Sequence, residues 1–171
     1  MRARRLDLER FVPYRLSVLS NRVSNAIARH YSDRFALSIP EWRVMAVLGQ
    51  VSGLSARDVA RRTEMDKVQV SRAVAQLVEA GRVHRRPDDA DGRVSRLGLT
   101  ARGRTIYGQI VPLALDLEEQ FLSALGPKER AAFNRLIAKL SEAAQGLATN
   151  RTPAQAEPRR REKIHSVAVR E

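Results

Sequence analysis

The sequence predicts a mostly α-helical fold that carries one small β-hairpin. Apolar residues recur at helical spacing in six segments, and the period changes to that of strands only between residues 82 and 99. Nine glycines and seven prolines are too few for the many turns of an all-β sandwich. The 5% aromatic content suits helices that pack through aliphatic side chains, and the 43% hydrophobic content is enough for a buried core.

The charge of the chain predicts a polyanionic partner. The chain contains 31 Lys and Arg residues against 19 Asp and Glu residues, a net charge of +12, which favours nucleic acid or an acidic membrane face. No apolar run approaches the roughly 18 residues of a membrane span. The basic N-terminus has no apolar signal core, so we expect a cytoplasmic protein. The absence of cysteine excludes a disulfide scaffold, a Cys-ligated zinc finger and a thiol redox switch, and we expect neither a metal nor a cofactor.

The first two helices are separated by a capping signal. One long helix is predicted over residues 6–35, with Pro13 early enough to end or kink its first turns. Ser38 is the expected N-cap of the second helix because Glu41 follows three residues later, which is a capping-box pattern. Gly53 breaks the chain after this helix.

Two short helices with capped starts follow. Ser55 predicts the N-cap of the third helix, with Asp58 at its third helical position. Asp66 predicts the N-cap of the fourth helix, and Gly81 follows its C-terminal end. The apolar stripe that the fourth helix should turn towards the core comprises Val70, Ala73, Val74, Leu77 and Val78. Two short helices joined in this way indicate a helix–turn–helix.

A β-hairpin is predicted directly after the fourth helix. Its strands are Val83–Arg86 and Val94–Leu99, and Asp91 with the following glycine supplies the turn. The acidic loop does not fit an EF-hand calcium site, because Pro87 and Gly98 would occupy positions that require Asp and Glu. A helix–turn–helix followed by a hairpin is a winged helix, in which the hairpin lies beside the helix that reads DNA.

The C-terminal part of the chain is predicted to be helical and then irregular. Thr100 is the expected N-cap of a fifth helix over residues 101–125, which Pro112 should kink. A sixth helix begins at Pro127 and extends to about residue 148. Residues 149–171 are polar, basic and Pro-containing, so we expect a flexible tail.

The outward face of the fourth helix carries the side chains that a DNA reader needs. The second helix of a helix–turn–helix enters the major groove. Arg can pair with guanine, Gln with adenine, and Ser with either base. The candidate major-groove residues are Lys67, Gln69, Ser71, Arg72 and Gln76.

Residues 38–148 resemble the MarR family of bacterial transcription regulators, which are winged-helix homodimers. Residues 54–104 carry the match, and its most specific part is the stretch DGRVSRLGLTARG of residues 91–103. The resemblance implies that Arg93 is the wing-tip arginine that enters the minor groove and that Asp91 holds this arginine or orders the turn. Candidate phosphate contacts are Arg57, Arg61, Arg62, Arg85, Arg86 and Arg96, some of which are expected to pair instead with Asp58, Glu64 or Asp88.

The resemblance also implies a domain organisation. Residues 6–37 and 101–148 would form a helical dimerisation region, and residues 38–100 the winged helix–turn–helix. A two-fold dimer predicts a pseudo-palindromic double-stranded operator. The open alternative is that the helices form a bundle within one chain.

Regulators of this family often release DNA when a small aromatic or anionic effector binds, such as an aromatic acid or its coenzyme A thioester, and repression is the family default. The candidate effector-binding residues are Tyr14, Arg15, Arg22, His30, Trp42 and Arg43. Each of them has a plain alternative role, either in core or interface packing or on a solvated helix face.

Three other classes of function are alternatives to a sequence-specific regulator. The charge alone permits a sequence-neutral architectural binder of nucleic acid, which steep salt dependence without sequence preference would reveal. A winged helix that binds protein or RNA is a further alternative. No nucleophile motif, glycine-rich phosphate loop or paired histidine motif accompanies the three histidines, so we expect no enzymatic activity.

Overall fold

The computed structural model describes residues 5–149, and these residues confirm the mostly helical fold with a small sheet. Of these residues, 5–123 belong to one compact unit and 124–149 belong to a second. The predicted tail beyond Thr149 lies outside the described residues. In chain order the elements are α1 Val12–Phe35, α2 Ile39–Gln50, β1 Leu54–Ser55, α3 Ala56–Thr63, α4 Lys67–Glu79, β2 Val83–Pro87, β3 Ser95–Leu99, α5 Ala101–Leu122 and α6 Pro127–Thr149.

The N-caps predicted for four helices are confirmed. At the start of α2, the Ser38 hydroxyl accepts a hydrogen bond from the Glu41 amide (3.4 Å), and the Glu41 carboxylate accepts one from the Ser38 amide (2.8 Å). Each cap satisfies amide groups that have no partner within the helix and contributes about 1 kcal/mol. The side chains of Ser55, Asp66 and Thr100 cap α3, α4 and α5 in turn.

The predicted start of the first helix is wrong. Helix α1 begins at Val12 rather than at residue 6, and Pro13 lies in its first turn. A proline is favoured there because its missing N–H has no intrahelical partner at that position. At the other end, α1 stops at Ala36, whose φ of +45° is left-handed. The fifth helix likewise ends at Leu122, three residues earlier than expected.

The sheet has three antiparallel strands in the order β1-β3-β2, one more than the predicted hairpin. The additional strand is β1, in which Leu54 pairs with Leu97 of β3. The Gly53 amide extends this pairing by donating to the Leu97 carbonyl (2.9 Å). The base of the hairpin is therefore joined to the segment that enters α3.

The core lies where α2, α3, α4 and β3 meet. The predicted stripe of α4 is confirmed, since four of its five members are at most 2% exposed and Val78 is partly buried. Burial of one valine or leucine side chain stabilises the fold by about 1.5–3 kcal/mol, and the smaller alanine contributes less. Among the largest fully buried side chains around this stripe are Val44, Met45, Val59, Val83 and Leu97. Because the buried stripe of α4 packs against this core, the opposite side of the helix faces the exterior.

A junction around Arg82 connects the winged helix to α1 and α5. The Arg82 side chain is only 7% exposed, and its guanidinium donates to the carbonyl oxygens of Phe35 (2.5 Å) and Ala36 (3.2 Å) at the C-terminal end of α1. The Arg82 carbonyl oxygen accepts from the Thr100 amide (3.0 Å) at the start of α5. Arg82 therefore contacts the end of α1 through its side chain and the start of α5 through its backbone.

Candidate nucleic-acid interface

The five predicted major-groove residues are all exposed on α4. They occupy the parts of the helix surface that the buried stripe leaves free. Asp66 caps the start of α4, since its Oδ1 accepts from the Gln69 amide (2.7 Å). Two apolar residues that the sequence reasoning passed over share this surface. Val68 is 59% exposed, and Ala75 is also exposed. A helical wheel drawn from the sequence would have found both, since neither falls on the buried stripe.

The wing between β2 and β3 is ordered by its own aspartates. The Asp91 carboxylate accepts a hydrogen bond from the Arg93 amide (3.0 Å), which is the turn-ordering role among the two that were expected for it. Asp88 accepts from the amides of Ala90 (3.1 Å) and Asp91 (3.0 Å). Arg93 itself is exposed at the tip. The loop therefore fixes the backbone at Arg93 and leaves its side chain available.

Arg96 joins the wing to the rest of the domain. Its guanidinium pairs with the Asp88 carboxylate and also donates to the Gly53 carbonyl oxygen (3.3 Å). The hydrogen bond from Arg96 is the largest cause that holds the pKa of Asp88 below its usual value, followed by the Asp91 amide. Arg96 thus has a structural partner, which was one of the two possibilities that the sequence left open for it.

The other candidate phosphate contacts differ in how they are held. Arg61 is paired with Asp58 (2.8 Å), although the arginine side chain remains 75% exposed. The pKa of the Asp58 carboxyl is lowered mainly by the hydrogen bond from the Ser55 hydroxyl. The positive charge of Arg61 lowers it to a smaller extent. The remaining candidates are exposed without a described ion pair: Arg57, Arg62, Arg85 and Arg86.

A cleft lies between α3 and the start of α4. It has a volume of about 780 Å³, and its lining includes the cations Arg57, Arg61 and Lys67 with the carboxylates of Glu64 and Asp66. Part of the cleft is therefore cationic beside the helix that carries the major-groove candidates.

The six candidate effector residues do not form one site. Tyr14, Arg15 and Arg22 line an open groove of about 580 Å³ along α1. His30 is exposed on the same helix but does not line that groove. Arg43 donates to the Ser24 hydroxyl (3.4 Å) and is partly buried.

The sixth candidate, Trp42, belongs to an aromatic cluster. Its ring lies 5.7 Å from that of Tyr31 and 6.0 Å from that of Tyr107, measured between centroids. Burial raises the pKa of the Tyr31 hydroxyl to about 12, and the positive charge of Arg43 partly opposes this rise. Sequence reasoning missed both tyrosines, because their contacts join α1 and α5 through α2.

Residues 5–149 contain no group of three His, Asp or Glu side chains that could hold a metal ion. None of the helices in this range is long and apolar enough to cross a membrane.

The filled inner face of α4, its polar outer face and the adjacent wing define a winged helix–turn–helix, an architecture typical of DNA-binding proteins. Known proteins similar to this chain point to one family. The family model described as "MarR family" matches residues 37–94. The transcriptional repressor Rv2887 of Mycobacterium tuberculosis is 28% identical over 131 residues, which cover 76% of this chain and 91% of the repressor.

Solved structures agree with this assignment. A MarR-family regulator from Silicibacter pomeroyi is 28% identical, with a TM-score of 0.67 over 80% of this chain and 94% of the regulator. BpsR of Bordetella bronchiseptica, whose DNA binding is regulated by 6-hydroxynicotinic acid, shares the fold at 24% identity, with a TM-score of 0.71 over 81% of this chain and 98% of BpsR. The family match, the curated relatives and the solved structures together support a MarR-family DNA-binding transcription regulator.

Proposed function

We propose that the chain is a repressor that binds a pseudo-palindromic operator as a homodimer and is released by a small aromatic or anionic effector. The observation that carries the DNA-binding part is the outer face of α4, where Gln69, Arg72 and Gln76 are exposed while the opposite stripe is buried. These side chains have the donors and acceptors for adenine and guanine edges in the major groove.

The wing supplies the second contact. Arg93 is exposed at a tip whose backbone is held by Asp91. A narrow A·T-rich minor groove has an enhanced negative potential that favours an inserted arginine. Arg57, Arg62, Arg85 and Arg86 would then contact phosphates, which position the protein without selecting a sequence.

Arg72→Ala and Arg93→Ala are each expected to weaken operator binding by about 1–3 kcal/mol. Arg72→Ala should also relax the preference for one base pair in each half-site, because a bidentate contact to guanine is lost. Binding to the operator and to single-base variants of it can be measured by fluorescence anisotropy. Arg29→Ala, which removes an exposed arginine from α1 outside the winged helix, is the matched control for loss of one charge.

Two outcomes would contradict sequence readout. If Arg72→Ala weakened binding to every duplex equally, Arg72 would contact phosphate rather than a base. If the wild-type protein showed a steep loss of affinity with salt and no preference among sequences, the chain would be a sequence-neutral binder, which is the alternative function.

Exposed apolar side chains on the long helices support the homodimer. Monomers rarely expose large contiguous apolar areas. On α1, α5 and α6, considered separately, the large apolar side chains that are at least 40% exposed are Val12, Tyr14, Leu16, Leu19, Leu115, Phe121, Leu136, Ile137, Leu140 and Leu147. The same helices in a second copy of the chain would cover them.

The protein is expected to sediment as a dimer, with twice the 19.2 kDa mass of one chain. Replacing Leu16 and Leu19 together by Glu should shift the protein towards the monomer, because it introduces charges into the proposed interface. Sedimentation velocity over a range of protein concentrations measures this shift. As a control, Arg29→Glu changes an exposed polar position of the same helix outside the groove on α1. A wild-type protein that remained monomeric at micromolar concentrations would favour a bundle within one chain.

The proposed effector is an aromatic carboxylate. The groove on α1 combines the phenol of Tyr14 with the guanidinium groups of Arg15 and Arg22, which suits an anionic aromatic ligand. The regulation of BpsR by 6-hydroxynicotinic acid is consistent with this chemical class.

An aromatic acid or its coenzyme A thioester is expected to release the operator from the protein. Arg15→Ala should raise the ligand concentration needed for release and leave DNA affinity without ligand unchanged. Calorimetry gives ligand binding, and anisotropy gives operator occupancy. A ligand that binds by calorimetry yet leaves operator affinity unchanged would contradict the switch, since a ligand shifts an equilibrium only through unequal affinity for its two states.

A further inference from the structure

Val68 is an unusual residue for the outward side of α4. It is apolar, it is 59% exposed, and it lies in the first turn of the helix. A β-branched residue lowers helix propensity relative to alanine, and an exposed one gains nothing from burial. Neither burial nor helix propensity therefore accounts for a valine at this position.

Val68 shares one face of the helix with Arg72 and Ala75. Successive residues of an α-helix are about 100° apart, so spacings of four and then three residues bring these three side chains into one row. All three are exposed, and the row lies opposite the buried pair Val70 and Leu77. Gln69 and Ser71 lie on the two flanks of the row. The centre of the outward face is thus apolar on both sides of one arginine.

The surroundings of this row indicate the chemistry of its partner. Lys67 and Arg72 place positive charge beside Val68 in the first two turns, whereas the carboxylate of Glu79 stands at the far end of the same face. An apolar spot among cations suits a polyanion that itself carries an apolar group. The major groove of DNA offers one such group, the C5-methyl of thymine. The position agrees as well, because the N-terminal residues of a recognition helix contact base edges.

We propose that Val68 and Ala75 read thymine methyl groups, and that Arg72 between them pairs with a neighbouring guanine. The inference rests on the proposed entry of α4 into the major groove. It adds a contact that hydrogen bonding does not provide, because thymine is the only one of the four bases that presents a methyl group in that groove. Each operator half-site should therefore hold at least one thymine whose methyl group contributes to affinity.

The test combines a change in the protein with a change in the DNA. The operator is first selected from random duplexes with the wild-type protein. Its thymines are then replaced one at a time by deoxyuridine, which lacks only the C5-methyl group. Dissociation constants are measured for the wild-type protein, Val68→Ala and Val68→Thr. Because Val68 is exposed, none of these variants should perturb the fold, which circular dichroism checks.

At one thymine in each half-site, the deoxyuridine duplex is expected to bind the wild-type protein about three- to fivefold more weakly, the effect of exposing one methyl group. Val68→Ala should bind the thymine operator more weakly by a similar factor and be indifferent to deoxyuridine at that position. Sensitivity at all other thymines should be unchanged, which provides the internal control. Val68→Thr, which retains one methyl group, should fall between the two proteins.

Two results would overturn the inference, and a third separates it from the proposed function. The inference is wrong if the wild-type protein selects its operator but binds every deoxyuridine duplex as well as the thymine duplex. It is also wrong if Val68→Ala keeps the full wild-type sensitivity at each thymine. If the wild-type protein selects no sequence from the random duplexes, the proposed readout by α4 fails and the inference fails with it.

Discussion

Gly103→Ala is expected to destabilise the protein by about 3 kcal/mol or more. A Cβ atom at Gly103 would overlap the carbonyl oxygen of Arg82 and lie 3.0 Å from its carbonyl carbon. These are backbone atoms, so no rotamer change can relieve the overlap. The same carbonyl oxygen already accepts from the Thr100 amide (3.0 Å) and hydroxyl (3.2 Å), and the first turn of α5 cannot move away without breaking both bonds.

Gly108→Ala in the same helix is the matched control, and the sign of its effect is expected to be opposite. No atom lies within 4 Å of a Cβ at Gly108, and the residue is exposed. The substitution should therefore stabilise the protein by up to about 1 kcal/mol through helix propensity. Urea unfolding followed by circular dichroism, at one protein concentration, measures both variants. Equal effects of the two substitutions would show that the approach of α5 to Arg82 is not tight in solution.

The elements that the sequence predicted well are those encoded by neighbouring residues. Each confirmed N-cap, such as Ser55 or Thr100, requires only a side chain and an amide three residues away. The buried stripe of α4 follows from helical periodicity alone. For the same reason the polar residues on its outer face could be placed before the structure was known, although their contacts with DNA remain a prediction.

The features that the sequence did not predict depend on distant partners. Strand β1 has two residues, and its existence depends on pairing with Leu97, far along the chain. Local patterns at Leu54 indicated only the approach to a helix cap. Gly103 belongs to the motif that carried the family resemblance, yet its role requires knowledge of the Arg82 carbonyl beside it. The start of α1 is different, because Pro13 was a local signal that favoured a later start.

The structural role of Arg82 is the clearest case of a feature that the composition of the chain conceals. In a chain with 31 Lys and Arg residues, one more arginine indicates a solvated surface or a phosphate contact. The structure instead buries it and directs it to the end of α1, where the helix carbonyls lack partners and carry partial negative charge. No neighbouring residue encodes this contact, since its acceptors lie 46 and 47 positions away.

Arg82→Ala is expected to destabilise the protein by about 2–4 kcal/mol, because it leaves the carbonyl oxygens of Phe35 and Ala36 without their charged donor. Arg82→Met retains the apolar stem and should lose less. Arg29→Met, at an exposed position of α1, controls for the loss of a charge and should change stability little. Urea unfolding measures all three variants, and a loss below about 0.5 kcal/mol in Arg82→Ala would contradict the contact.

The contact between Arg82 and the end of α1 should also affect how tightly a dimer binds its operator. Arg82 holds the winged helix against the end of α1, and α1 carries part of the proposed dimer surface. If this contact sets the spacing between the two α4 helices of a dimer, Arg82→Met should weaken binding to the full operator. Binding to an isolated half-site should stay unchanged. The reason is that one winged helix still reads its own half-site, whereas the spacing between two of them is no longer fixed. Anisotropy titrations with full and half operators, at a temperature where Arg82→Met is fully folded, separate the two effects. Equal weakening on both duplexes would instead place the damage within the reading surface itself.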